Sequence, residues 1–402
     1  MKVETAIHPP HIQDIPVAAR RAEDIGFESI AVPETNRDAF LAAGLAATGT
    51  SHARLATSVA LAFPRSPMIV AYLTHNLQEL SGGRFVVGLG TQVKGHIERR
   101  FSTPWDSPGP RLREYVLALR AIWDTWQTGA PLDFQGTYYT FTLMTPEFTP
   151  QPHRHPLVVH TAAVNTYNIR LAGEVCDGLR LHPMTSPAYI RDVVMPNLRL
   201  GAERAGRSLE GFELVGGGFI VTGATENEVA AKREEVRRRI GFYASTRTYH
   251  APLEHHGFEG ITPVLRDLVA QNRWAELGSV VDDTILDTFC IAGTYDTIAQ
   301  RVREQYGGLL DTIGLDMPVG DEASVAAFQR MVEDVRGIEP GAPDRPPFVS
   351  GADAGKPEHV VDAADRRMRG EERRGRIGAQ RIAHDEMRGK ARPFAKDDAH
   401  GD

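Results

Sequence analysis

Strand-like and helix-like segments alternate along most of this chain. The alternation predicts an α/β fold, a (β/α)8 TIM barrel with insertions. Three observations carry the prediction. Short apolar runs of strand length recur between amphipathic runs of helix length. Eight such apolar runs can be counted, at barrel spacing. The chain of 402 residues has room for one barrel of about 250 residues together with insertions. Right-handed crossovers would equally build an open doubly wound sheet, so periodicity leaves that alternative standing.

Residues 3–7 form the first strand. Ile15, Ala18, Ala19, Ala22 and Ile25 then recur at helical spacing, and Gly26 ends that helix. Strand 29–32, helix 40–47 and strand 55–60 follow. Pro67 opens a helix that stops near Gly82-Gly83, since proline suits a first helical turn and glycine a terminus. Strand 85–89 precedes a long loop and a strong helix over 113–126. Residues 132–142 alternate around Gly136 and read as an inserted hairpin. Strand 157–161, helix 166–173, strand 178–181 and helix 187–205 come next. Residues 212–222 read as a glycine-rich seventh strand and 226–243 as a charged amphipathic helix. Residues 245–287 read as irregular. Helix 297–306, strand 312–316 and helix 324–335 complete the barrel.

The barrel is assigned to residues 1–337, with insertions near 101–150 and 245–287. Residues 338–402 form a separate tail. Pro340, Pro343, Pro346 and Pro347 oppose a helix at its start. The charge-dense run from Arg366 to Arg374 has too few apolar residues to offset its ordering entropy, which predicts disorder. A net charge of -7 argues against a nucleic-acid partner. No uninterrupted apolar run reaches membrane-spanning length, and Met1 to Thr5 lacks a signal-peptide core. A cytoplasmic protein without a membrane partner is expected. Two cysteines, Cys176 and Cys290, cannot make a disulfide framework or a four-cysteine zinc site.

Generic motifs explain little. Gly88-Leu89-Gly90-Thr91-Gln92-Val93 lacks the third glycine of a dinucleotide fingerprint. His250, His255 and His256 have no carboxylate or thiolate at a recognised spacing and read as surface or packing residues, so no metal is expected. His8 and His11 flank Pro9-Pro10 at a turn. In a barrel, chemistry belongs at the C-terminal ends of strands. Those ends are Pro33-Glu34-Thr35-Asn36, Val59-Ala60, Gly90-Thr91-Gln92, Thr161-Ala162-Ala163 and Leu181-His182.

The run from Ala56 to Pro67, leading into Leu77 to Gly90, resembles the signature of the luciferase-like monooxygenase superfamily. The segment Ala172 to Gly178, the segment Ala292 to Asp296, and Glu34 after the second strand agree with it. The stretches Gln92 to Phe101 and Phe242 to Thr246 are most similar to its deazaflavin branch, which uses coenzyme F-420. The resemblance spans residues 1–337. It implies a TIM barrel that binds coenzyme F-420 or, alternatively, FMN. It further implies a non-proline cis peptide at Ser58-Val59, followed by Ala60, against the cofactor ring. The alternative there is an ordinary trans strand. Thr91, Gln92 and Val93 match the stretch lining cofactor and substrate, and Ala162, Ala163 and Val164 the small residues beside the ring. Glu34 and Thr35 stand where dehydrogenases of this branch carry an Asp-His pair, and Val93 where some carry a catalytic Glu. Glu34 is therefore the acid/base candidate, with burial beside an apolar ring raising its pKa. Its other role would be to cap a helix or accept loop N–H groups. Arg65, Lys94, Arg99 and Arg100 lie in loops at the mouth, either attracting the cofactor's acidic tail or serving as solvated charges.

The function implied is an F-420-dependent oxidoreductase moving hydride between cofactor and a small organic substrate. A reduced-FMN-dependent luciferase-like monooxygenase is the second reading, and a non-catalytic deazaflavin- or flavin-binding protein the third. A homodimer and a flavin or F-420 reductase are the protein partners implied. Specificity is expected from the insertions, where Trp105, Phe141, Tyr243 and Tyr249 suggest a partly apolar cavity.

Overall fold

The computed structural model describes residues 1–318 and 320–341. In it, eight parallel strands close into a barrel. They are β1 (Lys2–Ala6), β2 (Ser29–Val32), β3 (Arg54–Thr57), β4 (Phe85–Gly90), β5 (Val158–Ala163), β6 (Gly178–Leu181), β7 (Glu213–Val215) and β8 (Thr312–Gly314). Each pairs with its neighbour in sequence, and Lys2↔Thr312 joins β1 to β8 to complete the ring. The expected tail lies, from residue 342 onward, outside the described residues.

The local signals act as anticipated. Gly26 ends helix Ile15–Ile25 in the left-handed region at φ 112, a conformation that a side chain would resist. Ser66 caps helix Pro67–Leu80 by accepting from the Met68 N–H, with Pro67 in the first turn. The hairpin is present as Phe134–Gln135 against Thr140–Phe141. The Glu114 carboxylate holds its turn by accepting from the N–H groups of Tyr138 and Tyr139, at 2.6 and 2.7 Å.

Two expectations need correction. The seventh strand is not continuous over 212–222. It breaks after Val215, and Phe219–Gly223 leaves the barrel to pair with Cys290–Thr294, a strand absent from the sequence reading. Residues 245–287 are not irregular. They contain helices His250–His255, Ile261–Ala270 and Asp283–Phe289. This region has its own apolar cluster, including Leu253, Leu265, Leu268, Leu277 and Leu286, distinct from the main core. The main core lies between the barrel and its helices.

Inside the barrel the filling is partly charged. Lys2 Nζ and Arg54 Nη1 both reach Glu213 Oε1, at 3.0 and 2.5 Å. His160 Nε2 stands 3.4 Å from Glu213 Oε2 without making a hydrogen bond. Burial, reinforced by the Arg180 guanidinium, pushes the His160 pKa down to about 3. Burial alone would raise the Glu213 carboxyl, but the Arg54 guanidinium outweighs it and holds the group at about 2.

Both shifts make the fold acid-sensitive. An unfolded chain protonates His160 below about pH 6.5, whereas the folded one does not, so stability is complete above that pH and is lost as pH falls toward the folded value. Glu213 acts with the same sign at lower pH, below the ordinary carboxylate value. The urea unfolding free energy should fall between pH 7 and pH 5 by about 2 kcal/mol on account of His160. His160→Leu should remove that share of the slope. An unchanged slope in the variant would locate the proton uptake elsewhere.

Candidate active site

The strand ends open into a cleft of about 350 Å³. Ala6, Ala31, Ser58 and Gly314, contributed by β1, β2, the end of β3 and β8, line its base, with Leu181, Leu315 and Asp316 beside them. Ala6 and Gly314 are exposed there, and a Cβ on Gly314 would meet nothing within 4 Å. Small residues thus leave a broad, shallow base. One wall is the segment from Gly216 to Phe219. Gly216 and Gly217 take φ 113 and 120, values that side chains rarely adopt, and this turn carries the chain away from the barrel. Helix Glu226–Ala244, packed against strand Phe219–Gly223, extends this wall with Lys232, Glu235 and Arg239. Lys232 Nζ donates to the Thr222 carbonyl at 2.7 Å, and the Arg239 guanidinium lies 5.0 Å over the Phe219 ring.

A buried polar network lies beneath the floor. Arg180 on β6 crosses the interior and pairs with Glu4 on β1. Its Nε donates to Ser58 Oγ at 3.1 Å, and Ser29 Oγ donates to Glu4 Oε2 at 2.8 Å. Gly88 leaves the space Arg180 needs, because a Cβ there would collide with the Thr57 carbonyl and press on Arg180 Cδ. The sequence reading missed this network. Its signal was a lone charge in each of two apolar strands, Glu4 between Val3 and Thr5 and Arg180 between Leu179 and Leu181.

The Ser58-Val59 peptide is cis. Of the residues singled out from sequence, Ser58 lines the mouth cleft. Ala60 begins the short strand Ala60–Leu61, which pairs with β4. Glu34 is nearly enclosed: Arg65 engages both its oxygens, and Oε2 also accepts from the Leu61 N–H at 2.6 Å. Arg65 also pairs with Asp38 at 2.5 Å, so it braces this loop and is not a free rim cation. Burial pushes the Asp38 carboxyl up, but the Leu41 N–H and the Arg65 guanidinium outweigh it and hold the group below its ordinary value. Thr35 is exposed and lines a smaller cavity beside the mouth. Gln92 adopts φ 59, and its Oε1 accepts from the Val93 N–H at 3.0 Å, while Thr91 Oγ1 donates to the Gln92 carbonyl at 3.1 Å. Ala162 and Ala163 end β5, and the Val164 carbonyl accepts from Tyr189 Oη at 3.0 Å. At the rim, Lys94 lies 3.7 Å from Glu98, Arg99 and Arg100 are exposed, and Arg100 Nη2 donates to the Thr35 carbonyl at 2.6 Å.

His182, at the end of β6, packs against Tyr243 and Tyr249 with centroid separations of 4.5 and 4.3 Å. Its Nδ1 accepts from the Met184 N–H at 3.2 Å. Burial, with Arg239 adding to it, pushes its pKa down to about 3, which leaves a neutral imidazole. Trp105 packs on Phe63 and Phe141 on Tyr139. His256 Nε2 and Ser186 Oγ are 2.7 Å apart, and His255 Nε2 lies 3.3 Å from Asp192. Among the described residues, no group of three His, Cys, Asp or Glu side chains is placed to hold a metal. Nor is any described helix long and apolar enough to cross a membrane.

The small residues Ala6, Ala31 and Gly314 would let a planar ring system lie close to the strand ends, and Ser58 would meet it with a side chain fixed from below. Known proteins share this framework. A protein of Mycobacterium tuberculosis, described as uncharacterised, is 41% identical over 320 residues, covering 79% of this chain and 93% of that protein. The solved coenzyme F-420 dependent tetrahydromethanopterin reductase from Methanopyrus kandleri superposes with a TM-score of 0.66 at 20% identity, covering 84% of this chain and 98% of that one. The oxygenating constituent of 3,6-diketocamphane monooxygenase from Pseudomonas putida, solved with FMN, superposes at 0.58 with 14% identity, covering 85% and 99%. The family model for luciferase-like monooxygenases matches residues 2–312. With that match running from β1 into β8, the chain belongs to the luciferase-like monooxygenase family.

Proposed function

We propose that this protein is a coenzyme F-420-dependent oxidoreductase that moves a hydride between the deazaflavin and a small organic substrate. The observation that carries the reading is the base of the mouth cleft, where Ala6, Ala31, Ser58 and Gly314 offer small side chains at the strand ends. The bound cofactor supplies the hydride chemistry. The chain supplies position and environment. Arg180 holds the Ser58 hydroxyl from below, so that residue meets the ring in one orientation. Phe219, backed by Tyr243 with ring centroids 6.5 Å apart, gives the cleft an apolar side and limits water. Exposed Arg99 and Arg100 have no carboxylate partner among the described residues and suit the cofactor's acidic tail. This rim charge and the F-420 dependence of the Methanopyrus reductase support the deazaflavin over FMN. Glu34 is the acid/base candidate. Its engagement with Arg65 and the Leu61 N–H gives it a definite bracing role in the same loop.

F-420 should bind purified protein with a change in its fluorescence, and more tightly than FMN. Gly314→Leu should lower that affinity at least ~10-fold with little change in melting temperature, since the new side chain enters open space. A preference for FMN, with oxygen consumed when reduced FMN is supplied, would replace this reading with the monooxygenase.

Glu34 and Arg65 invite a double-mutant cycle. Arg65→Met leaves a buried carboxylate unpaired and should cost about 3 kcal/mol in urea unfolding, and adding Glu34→Gln should recover much of it. In turnover assays, Glu34→Gln should reduce kcat far more than cofactor affinity. Equal turnover would confine Glu34 to bracing.

A further inference from the structure

A second cavity, of about 200 Å³, lies between the loops that follow β1 and β2. Ile7, Ile15, Val32 and Ala42 contribute apolar wall, and His8 and Arg37 bring polar groups to it. Small pockets with apolar walls and a few convergent polar groups are the usual form of an organic-ligand site.

Arg37 is what gives this cavity a chemistry. Its Nη2 donates to the carbonyls of Pro9 and Pro10, at 2.8 and 2.9 Å, which fixes the guanidinium plane. Its Nη1 is enclosed and has no hydrogen-bond partner. The two nearest carboxylates in sequence, Glu34 and Asp38, are both taken by Arg65. No carboxylate among the described residues pairs with Arg37. The loop therefore holds a cation whose charge is uncompensated and whose donor set is incomplete. An enclosed N–H without an acceptor is unfavourable, the more so on a charged group. Both N–H groups of Nη2 are spent on the two carbonyls, so the guanidinium offers charge and not a free fork, and a carboxylate is the smaller of the two organic anions that arginine commonly pairs with.

We propose that this cavity is a subsite for a carboxylate on a small organic ligand, with Arg37 as its charge partner. Ile7 and Val32 in its wall directly follow Ala6 and Ala31 of the cleft base, so the subsite lies at the same end of the barrel as the proposed active site. It rests on the oxidoreductase reading only for the source of the carboxylate, which is either the substrate or the acidic tail of the deazaflavin.

The probe is isovalerate, compared with its neutral isostere isovaleramide by saturation-transfer NMR at pH 7. The acid should bind at least ~10-fold more tightly than the amide, the discrimination expected of one charge-assisted pair. Arg37→Met should abolish the preference, Arg37→Lys should retain part of it, and Arg330→Met, at an exposed arginine on helix Glu322–Arg336 that lines neither cavity, should leave it unchanged. Because Arg37 also holds two backbone carbonyls, melting temperatures accompany each variant, and Arg37→Lys decides the matter if Arg37→Met does not fold. Equal binding of acid and amide, no binding of the acid at millimolar concentration, or a preference that survives in Arg37→Met would overturn the proposal. F-420 and its tail-free chromophore identify the source. A loss in Arg37→Met confined to the tailed cofactor assigns the carboxylate to the tail, and equal affinities assign it to the substrate. Failure of F-420 to bind any variant would remove the cofactor reading and leave the acid–amide comparison intact.

Discussion

A guanidinium inside the barrel organises everything above it. Arg180 reaches from β6 to Glu4 on β1 and to Ser58 at the end of β3. It thereby links three strands that are not neighbours in the ring. Ionised groups inside a protein are tolerated when each is paired and hydrogen-bonded. Here Ser29 completes the Glu4 carboxylate, and Gly88 yields the space for the Arg180 side chain. The charge lies beneath the base of the mouth, where it tethers Ser58. Had the interior been filled by larger apolar side chains, the same strand ends would have been held by packing alone, and Ser58 would lack a directional tether.

Much of the fold was legible because barrel strands are covered on both faces and read as uninterrupted apolar runs. Residues 29–32 and 178–181, apolar apart from Ser29 and Arg180, become β2 and β6 with the same limits. Residues 212–222 misled for a physical reason. The apolar pattern continues through Gly216-Gly217-Gly218, yet these glycines redirect the chain, so one apparent strand serves two sheets. Residues 245–287 concealed short helices, each too brief to show a sustained period and each stabilised by a cluster that only the tertiary structure assembles. At the site, Ser58 was found through family resemblance. The Arg180–Glu4 pair was not, because its partners are far apart in sequence. Arg65 was read as a rim cation for want of any signal that it would pair with both Glu34 and Asp38.

The mouth thus sorts its charges into two kinds. Arg65 and Arg180 are consumed by carboxylates of the chain and serve as struts. Arg37, Arg99 and Arg100 retain charge at or near the surface of the mouth, with Arg37 and Arg100 held by backbone carbonyls and Arg100 also lying over the Phe101 ring. A net charge of -7 for the whole chain gives no hint of this local excess. Anionic ligands respond to the local field and not to the sum, because low-dielectric walls focus it and salt screens the remainder.

The departure of the chain from the barrel at Gly216 has a consequence for modularity. Phe219–Gly223 and Cys290–Thr294 form their own two-stranded ladder, and the residues between them share a separate apolar cluster. The excursion over residues 224–289 begins and ends on that ladder and contributes no strand to the ring. It is a cassette. Its length and composition can be exchanged, by natural recombination or by an engineer, without breaking a barrel hydrogen bond, while the wall it presents to the cleft changes with each exchange.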